Sequence, residues 1–306
     1  MSLRAASIGL LSKVAPRAAE RVSDAMTSVD RAAEHVRRLF GSPSPIWRTP
    51  KTWRRFPSEE AARLLVGLHH DGLVTLPGFL DPQQLLRVHA ALDSEFSASA
   101  GSKMDYRPSQ KYYACLQPLA LCAELADAAI DSDLLNLVGA YFRRKPFLAE
   151  ADFRRVLPLD LVAHERENEK FAKGYSSSHW HHDIHGHELK AMIYLTDVGP
   201  GDQNFAFLRG SHRGFRSARY EKSRFTDRQV EKMGHTIVEC YAPAGAIIIF
   251  DSNGIHRLRR LETRVRDSVT FYYHPGRVCH KVPLVVHPDS LARHRAEFFR
   301  VASVAL

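Results

Sequence analysis

The hydrophobic pattern of this 306-residue sequence predicts an α+β protein with a mostly antiparallel β core, helices gathered N-terminally and one closing helix. Two observations carry this. Up to about residue 149 the apolar residues recur at helical spacing, and beyond it they alternate with a period of two. The alternating runs are short and separated by Gly, Pro and Asp, which suits strands joined by turns.

Taken in order, the first 40 residues read as helical, Ala- and Arg-rich, and end in the breaker cluster GSPSP at 41–45, a linker. Within residues 1–19, Arg4, Lys13 and Arg17 meet no acid, and Leu3, Leu10, Leu11 and Val14 supply a short, uneven apolar stripe. The expected reading is a solvated helix packed on the domain; contact with a membrane surface, or a transit segment, is the alternative. From residue 58 come a helix, SEEAARLLVGLHHDG, and a strand, LVTLPGFL. Asp81-Pro82 then opens a second helix, QQLLRVHAALDSEF, with Asp as N-cap and Pro in the first turn. Two further helical stretches lie near 119–130 and 132–143. Strands follow at 189–198, 204–210, 235–243, 245–253 and 268–276, and a helix near 288–302 closes the chain. The expected organisation is a basic helical extension and linker over 1–45, then one domain over 46–306 whose β core spans about 149–286.

Composition excludes several classes. At 44% apolar the chain can bury a sizeable core. Cys115, Cys122, Cys240 and Cys279 form no closely spaced pair, which argues against a zinc knuckle or redox dithiol and sets a cytoplasmic location as the default. No apolar run approaches the roughly 20 residues that span a bilayer. The net charge of +9 is compatible with an anionic partner, but scattered basic residues without a recognition motif argue against nucleic acid. Oligomeric state is not legible.

The chemistry-bearing feature is a His-x-Asp pair with ordered partners downstream. With 17 histidines in the chain, roughly one such pair arises by chance, so context decides among His69–Asp71, His181–Asp183 and His287–Asp289. Iron in a facial site wants two neutral imidazoles and one carboxylate, with three positions left open. His and Asp two apart in an extended segment point the same way. For His181 and Asp183 the third ligand is supplied by His256, just after the strand GAIIIFDSN. Ten residues on, Arg266 can hold the distal carboxylate of a dicarboxylate co-substrate by charge-assisted hydrogen bonds. His69 instead ends a helix, and His287 stands before the closing one.

The runs SHWHHDIHGHELKAMIYLTDV, FLRGSHRG, GAIIIFDSNGIHR and RVRDSVTFYY, with HHDGLVTLPGFLDPQQLLRVHAAL upstream, resemble the phytanoyl-CoA dioxygenase family of Fe(II)/2-oxoglutarate oxygenases over about residues 60–276. The resemblance implies a double-stranded β-helix (jelly roll, cupin-like) with Fe(II), 2-oxoglutarate and dioxygen as cofactor and co-substrates. It implies His181, Asp183 and His256 as catalytic metal ligands and Arg266 as the 2-oxoglutarate anchor. Arg264, two residues earlier on the same side, stays a rival. The sequence departs from the family at Arg209 before Gly210-Ser211-His212 and at Gly245-Ala246, a loop and a turn, without losing a ligand. Asp183 occupies the position that halogenating relatives replace by a small residue, so hydroxylation is the implied outcome. The expected substrate is a small or lipid-like, acidic molecule, oxidised with release of succinate and CO2. Desaturation, epimerisation and cyclisation start from the same hydrogen abstraction and stay open, as does a jelly-roll binding protein without turnover.

Around the motif, Lys190, Met192, Tyr194 and Thr196 share one strand face, and Lys190 is a co-substrate candidate or an exposed strand-edge lysine. His179, His182, Tyr194 and Tyr112 are candidate substrate contacts, and His185 and His187 stand beside the motif; Tyr106 and Tyr113 accompany Tyr112. Trp180 reads as packing, Ser211 and His212 as loop anchors, and the tract 256–266, with Arg259 and Arg260, as a solvated basic face or an anion contact.

Overall fold

The computed structural model describes residues 53–54, 57–98, 103–173, 177–183, 187–214, 223–261, 264–275 and 283–305. The extension expected over residues 1–45, His185 and Cys279 lie outside the described residues.

The N-terminal helices form where caps and apolar stripes coincide. Helix α1 (Ser58–His70) buries Ala61, Leu64 and Leu68 at helical spacing and carries Glu59 and Glu60 in its first turn, where they complement the helix dipole. Helix α2 (Pro82–Ser97) starts with a capping box: the Gln84 N–H donates to the Asp81 carboxylate at 2.8 Å and the Asp81 N–H to Gln84 Oε1 at 2.9 Å. Helices α3 (Ala123–Ala129) and α4 (Ser132–Phe142) follow, α4 buried along most of its length.

The strands are β1 (Leu73–Leu76), β2 (Asp105–Arg107), β3 (Tyr112–Cys115), β4 (Pro146–Val156), β5 (Trp180–His181), β6 (Leu189–Tyr194), β7 (Phe205–Leu208), β8 (Arg224–Phe225), β9 (Ile237–Cys240), β10 (Ile247–Asp251), β11 (His256–Leu258) and β12 (Arg266–Pro275). They make two sheets, one of seven strands in the order β1-β10-β6-β12-β4-β3-β2 and one of five in the order β8-β5-β11-β7-β9. The pairings between these strands are antiparallel. Short helices α5 (Leu161–Glu167) and α6 (Glu169–Ala172) precede β5, α7 (Asp227–Lys232) precedes β9, and α8 (Pro288–Val301) closes the chain.

This is the predicted α+β jelly roll, with one correction. The β core does not begin near residue 149: β1, β2 and β3 join the large sheet from the N-terminal half, and β4 starts at Pro146. In β4 the run PFLAEADFRRV alternates Ala149, Ala151 and Phe153 with Glu150, Asp152 and Arg154, a strand signal that the sequence reading above leaves unused.

The large sheet is covered on both faces. Leu189, Ala191, Ile193, Val269, Phe271 and Tyr273 pack with Leu64, Leu68, Leu134 and Val138 of the helices. Met192, Tyr194, Ile248 and Phe250 face the small sheet and meet Phe205 and Phe207. That double burial explains why β10 reads as an unbroken apolar run, each side chain contributing about 1.5–3 kcal/mol. β10 enters through a turn at Gly245, whose φ is +84° and where a Cβ would stand 2.4 Å from the Leu80 carbonyl oxygen. Replacing Gly245 by Ala should therefore lower stability by about 1–3 kcal/mol in urea unfolding followed by circular dichroism; an unchanged midpoint would contradict the turn geometry.

Candidate metal centre and pocket

Two very short strands bring the histidines together. His181 ends β5, His256 opens β11, and the two face each other directly in the antiparallel register. Residues so paired have Cβ atoms about 4.5–5.5 Å apart. The rings meet accordingly, with centroids 4.4 Å apart and planes at 51°. Asp183 lies two residues past His181 in extended chain, so its carboxylate returns to the same face, and its N–H donates to the Ser252 carbonyl at 2.9 Å.

Each imidazole is oriented through its second nitrogen. His181 Nδ1 donates to the His179 carbonyl at 2.8 Å, and His256 Nδ1 to the Gly254 carbonyl at 2.9 Å. The Nε2 lone pairs are thereby left for a ligand. They lie 3.9 Å and 3.7 Å from the Asp183 carboxylate oxygens, and the three donor atoms are within 4.8 Å of one another. Gly254 supplies this accepting carbonyl and is also a close approach: a Cβ there would stand 2.1 Å from the Phe207 ring. The Ile255 N–H, one residue before the ligand, donates to Ser211 Oγ at 2.7 Å.

Electrostatics set the protonation states that a metal needs. Burial pushes His181 well below its ordinary value, with His256 adding to the effect, and burial lowers His256 too. Burial alone would raise the Asp183 carboxyl, but the Lys190 ammonium and then the two imidazoles outweigh it and hold the group well below the usual carboxylate range. Two neutral imidazoles and one carboxylate on one side of a cavity are the donor set of a facial Fe(II) site, so these residues fit the metal that the sequence implies.

Beside the triad opens a cavity of about 190 Å³, several times the roughly 30 Å³ share of one water molecule in the liquid. Met192, Phe205, Phe250 and Leu258 give its apolar walls; Arg154, Ser177, Lys190, Ser268, Thr270 and Tyr272 are its other lining residues. Arg266 is not a wall residue. It stands on β12 in the same alternation as Ser268, Thr270 and Tyr272, almost fully buried, with Nη1 donating to the Gln203 carbonyl at 3.4 Å. Its Nε has no hydrogen-bond partner, and neither Nδ2 nor Oδ1 of neighbouring Asn204 has one. Burial pushes the Arg266 guanidinium down, with nearby Tyr194 opposing. Such orphaned polar atoms in the interior suit a missing polar ligand.

Lys190 is no edge lysine: β6 lies between β10 and β12, and the ammonium sits 2.6 Å from Asp183 Oδ2. The other expected residues are dispersed. Arg264 has a side chain 79% exposed and faces Asp202 at 3.7 Å, whereas Arg266 is interior. His179 pairs with Glu165 at 3.2 Å. His182 is buried with its ring 6.1 Å from that of Phe225. Tyr194 donates to the Cys240 carbonyl at 3.0 Å and accepts from the Phe205 N–H, behind the cavity wall. Tyr112 lies under the Arg154 guanidinium, 5.5 Å from ring centre to carbon, while Tyr106 and Tyr113 pack on each other at the sheet edge. None of these seven lines the cavity. His187 stands 3.7 Å from Asp251. The basic tract is not simply a solvated face: Arg260 is buried and donates to Gln203 and to the carbonyls of Gln110, Lys111 and Leu157. Arg154 and Tyr272 were missed. Tyr272 follows the two-residue alternation from Arg266 and was readable; Arg154 required recognising β4.

A family model described as phytanoyl-CoA dioxygenase (PhyH) matches residues 68–260. No curated protein sequence matches significantly. Among solved structures, the epimerase SnoN in complex with Fe3+, alpha ketoglutarate and nogalamycin RO is similar at 15% identity and a TM-score of 0.54, over 71% of this chain and 84% of that one. The alpha ketoglutarate dependent carbocyclase SnoK from nogalamycin biosynthesis gives 16% and 0.54, over 73% and 86%. EctD from S. alaskensis with bound Fe gives 15% and 0.53, over 76% and 82%. At these identities the likeness establishes the fold.

Because Ser211 satisfies a buried N–H beside His256, Ser211→Ala should cost about 1–3 kcal/mol of stability and reduce the iron retained per chain after desalting, measured by atomic absorption. Full stability with full iron content would show that this bond does not support the site.

Proposed function

Because the chain belongs to the phytanoyl-CoA dioxygenase family of iron- and 2-oxoglutarate-dependent oxygenases, we propose that it hydroxylates an unactivated carbon of a small or lipid-like, acidic molecule, releasing succinate and CO2. The observation that carries this reading is the cross-strand pair His181–His256 converging with Asp183 beside a cavity of small-molecule size.

His181, Asp183 and His256 would hold Fe(II), which with 2-oxoglutarate as reductant and dioxygen as oxidant would supply the oxidising power, the inserted oxygen atom coming from dioxygen. The protein's own residues prepare the ground for it. The His179 and Gly254 carbonyls keep both rings in the tautomer that presents Nε2. Arg266, with its unpartnered Nε, would take the distal carboxylate of 2-oxoglutarate. Met192, Phe205, Phe250 and Leu258 exclude water from the reacting face. Arg154, paired with Asp152 at 2.6 Å, brings guanidinium N–H donors to the cavity wall, which suits an acidic substrate.

Two sets of variants test the assignment by succinate formation from 2-oxoglutarate. His181→Ala and His256→Ala should abolish it, and substantial turnover in either would remove the triad from the mechanism. Arg266→Ala should raise KM for 2-oxoglutarate by roughly 10–100-fold, the loss of one charged hydrogen bond of about 1.5–3 kcal/mol. Arg264→Ala should leave it near wild type; the reverse pattern would hand the anchor to Arg264.

A further inference from the structure

Lys190 is a buried ammonium between two carboxylates. In front, its nitrogen lies 2.6 Å from Asp183 Oδ2; behind, it lies 3.6 Å from Glu188 Oε1. It also stands 4.7 Å from the centre of the Tyr272 ring. Glu188 is itself buried, and its other oxygen is 2.8 Å from His274 Nε2. The cation therefore leans toward the triad, with a second carboxylate, itself paired with His274, about one ångström farther off.

We infer that Lys190 is an internal counter-ion that holds the metal-free triad assembled, competes with the incoming metal for Asp183, and passes to Glu188 when the metal binds. This rests on reading Asp183 as a metal ligand. Without a cation, a carboxylate buried beside two imidazoles is costly to keep ionised, and the chain would lose the convergence of the three side chains. Lys190 supplies that charge from within the same sheet, so no rearrangement is needed to keep the site formed. A divalent ion on Asp183 changes the balance. Held at the present distance, ammonium and metal would stand about 4–5 Å apart, a repulsion that even at an effective dielectric of about 20 amounts to several tenfold steps in affinity. Glu188 relieves it: a small movement of a flexible side chain exchanges one ion pair for another, and the ammonium is never left unpaired in the interior. His274 keeps Glu188 in place to receive it.

The two carboxylates thus pull affinity in opposite directions, which separates this role from simple packing. The full-length chain, stripped of metal, is titrated with Ni(II) alone by calorimetry, and its metal-free melting temperature is recorded. Lys190→Met should bind Ni(II) about tenfold tighter or more, and its metal-free form should melt lower, with saturating Ni(II) closing much of the gap. Glu188→Gln, which deprives the ammonium of its alternative partner, should bind Ni(II) about tenfold more weakly. If Lys190→Met does not fold, the double variant Lys190→Met with Glu188→Gln must still bind tighter than Glu188→Gln alone. Unchanged or weaker binding on removal of Lys190, in a chain whose binding is lost in His181→Ala, overturns the inference and leaves the triad standing. Binding that is indifferent to His181→Ala overturns both.

Discussion

A direct cross-strand pair is the constraint on which the centre depends. His181 and His256 can be 4.4 Å apart only while β5 and β11 remain in register, and a slip of one residue would send one imidazole to the opposite face of the sheet. Strands of two and three residues hold little register information of their own. It comes from outside them. β11 is pinned by β7 on its other side and by the Ser211 hydroxyl at its entrance, and β5 by β8 and by the Trp180 indole, which donates to Asp227 at 2.7 Å. Residues distant from the chemistry therefore keep it in place.

The large sheet makes the opposite compromise on its two faces. Toward the helices it is mostly apolar and packs as an ordinary core, with the Arg155–Asp267 ion pair and the Tyr141–Asp251 hydrogen bond as exceptions. Toward the small sheet the aromatic cluster gives way, strand by strand, to Asp152, Arg154, Lys190, Tyr272 and Arg266. Each charge there has a named neighbour: Arg154 holds Asp152, Tyr272 donates to the same carboxylate at 3.0 Å, and Lys190 bridges Asp183 and Glu188. Arg266 Nε and the Asn204 amide are among the buried polar atoms left without a hydrogen-bond partner. Such groups gain little by themselves, and a polar ligand would complete them.

What was legible in the sequence was local. The N-cap at Asp81, the alternation that puts Asp183 on the face of His181, the order of His256 and Arg266 downstream, and the helix opening at Pro288 follow from spacing and residue type. What was not legible depends on which strands become neighbours. Lys190 reads as an edge lysine until β10 and β12 close over it. Arg260 reads as part of a solvated basic tract until four acceptors from distant segments converge on its guanidinium. His179 alternates with His181 on paper, yet its partner is Glu165 on a helix that pattern reading did not anticipate. β4 carries a legible alternation, Ala149, Ala151 and Phe153 against Glu150, Asp152 and Arg154, but only the assembled sheet brings Arg154 of its polar face to the cavity.

The register of His181 on His256 also bears on how the protein is made. The two imidazoles come from positions 75 residues apart in the sequence, and the strand that flanks the cavity runs on to Pro275. A growing polypeptide emerges N-terminus first at about 5–20 residues per second, so for several seconds after His181 and Asp183 have left the ribosome their partner does not yet exist. A lone His-x-Asp is a poor chelator, and the closure of so long a loop is slow and comes late in folding. The full donor set for iron thus exists only once β5 and β11 have paired, and a half-made chain lacks its third member.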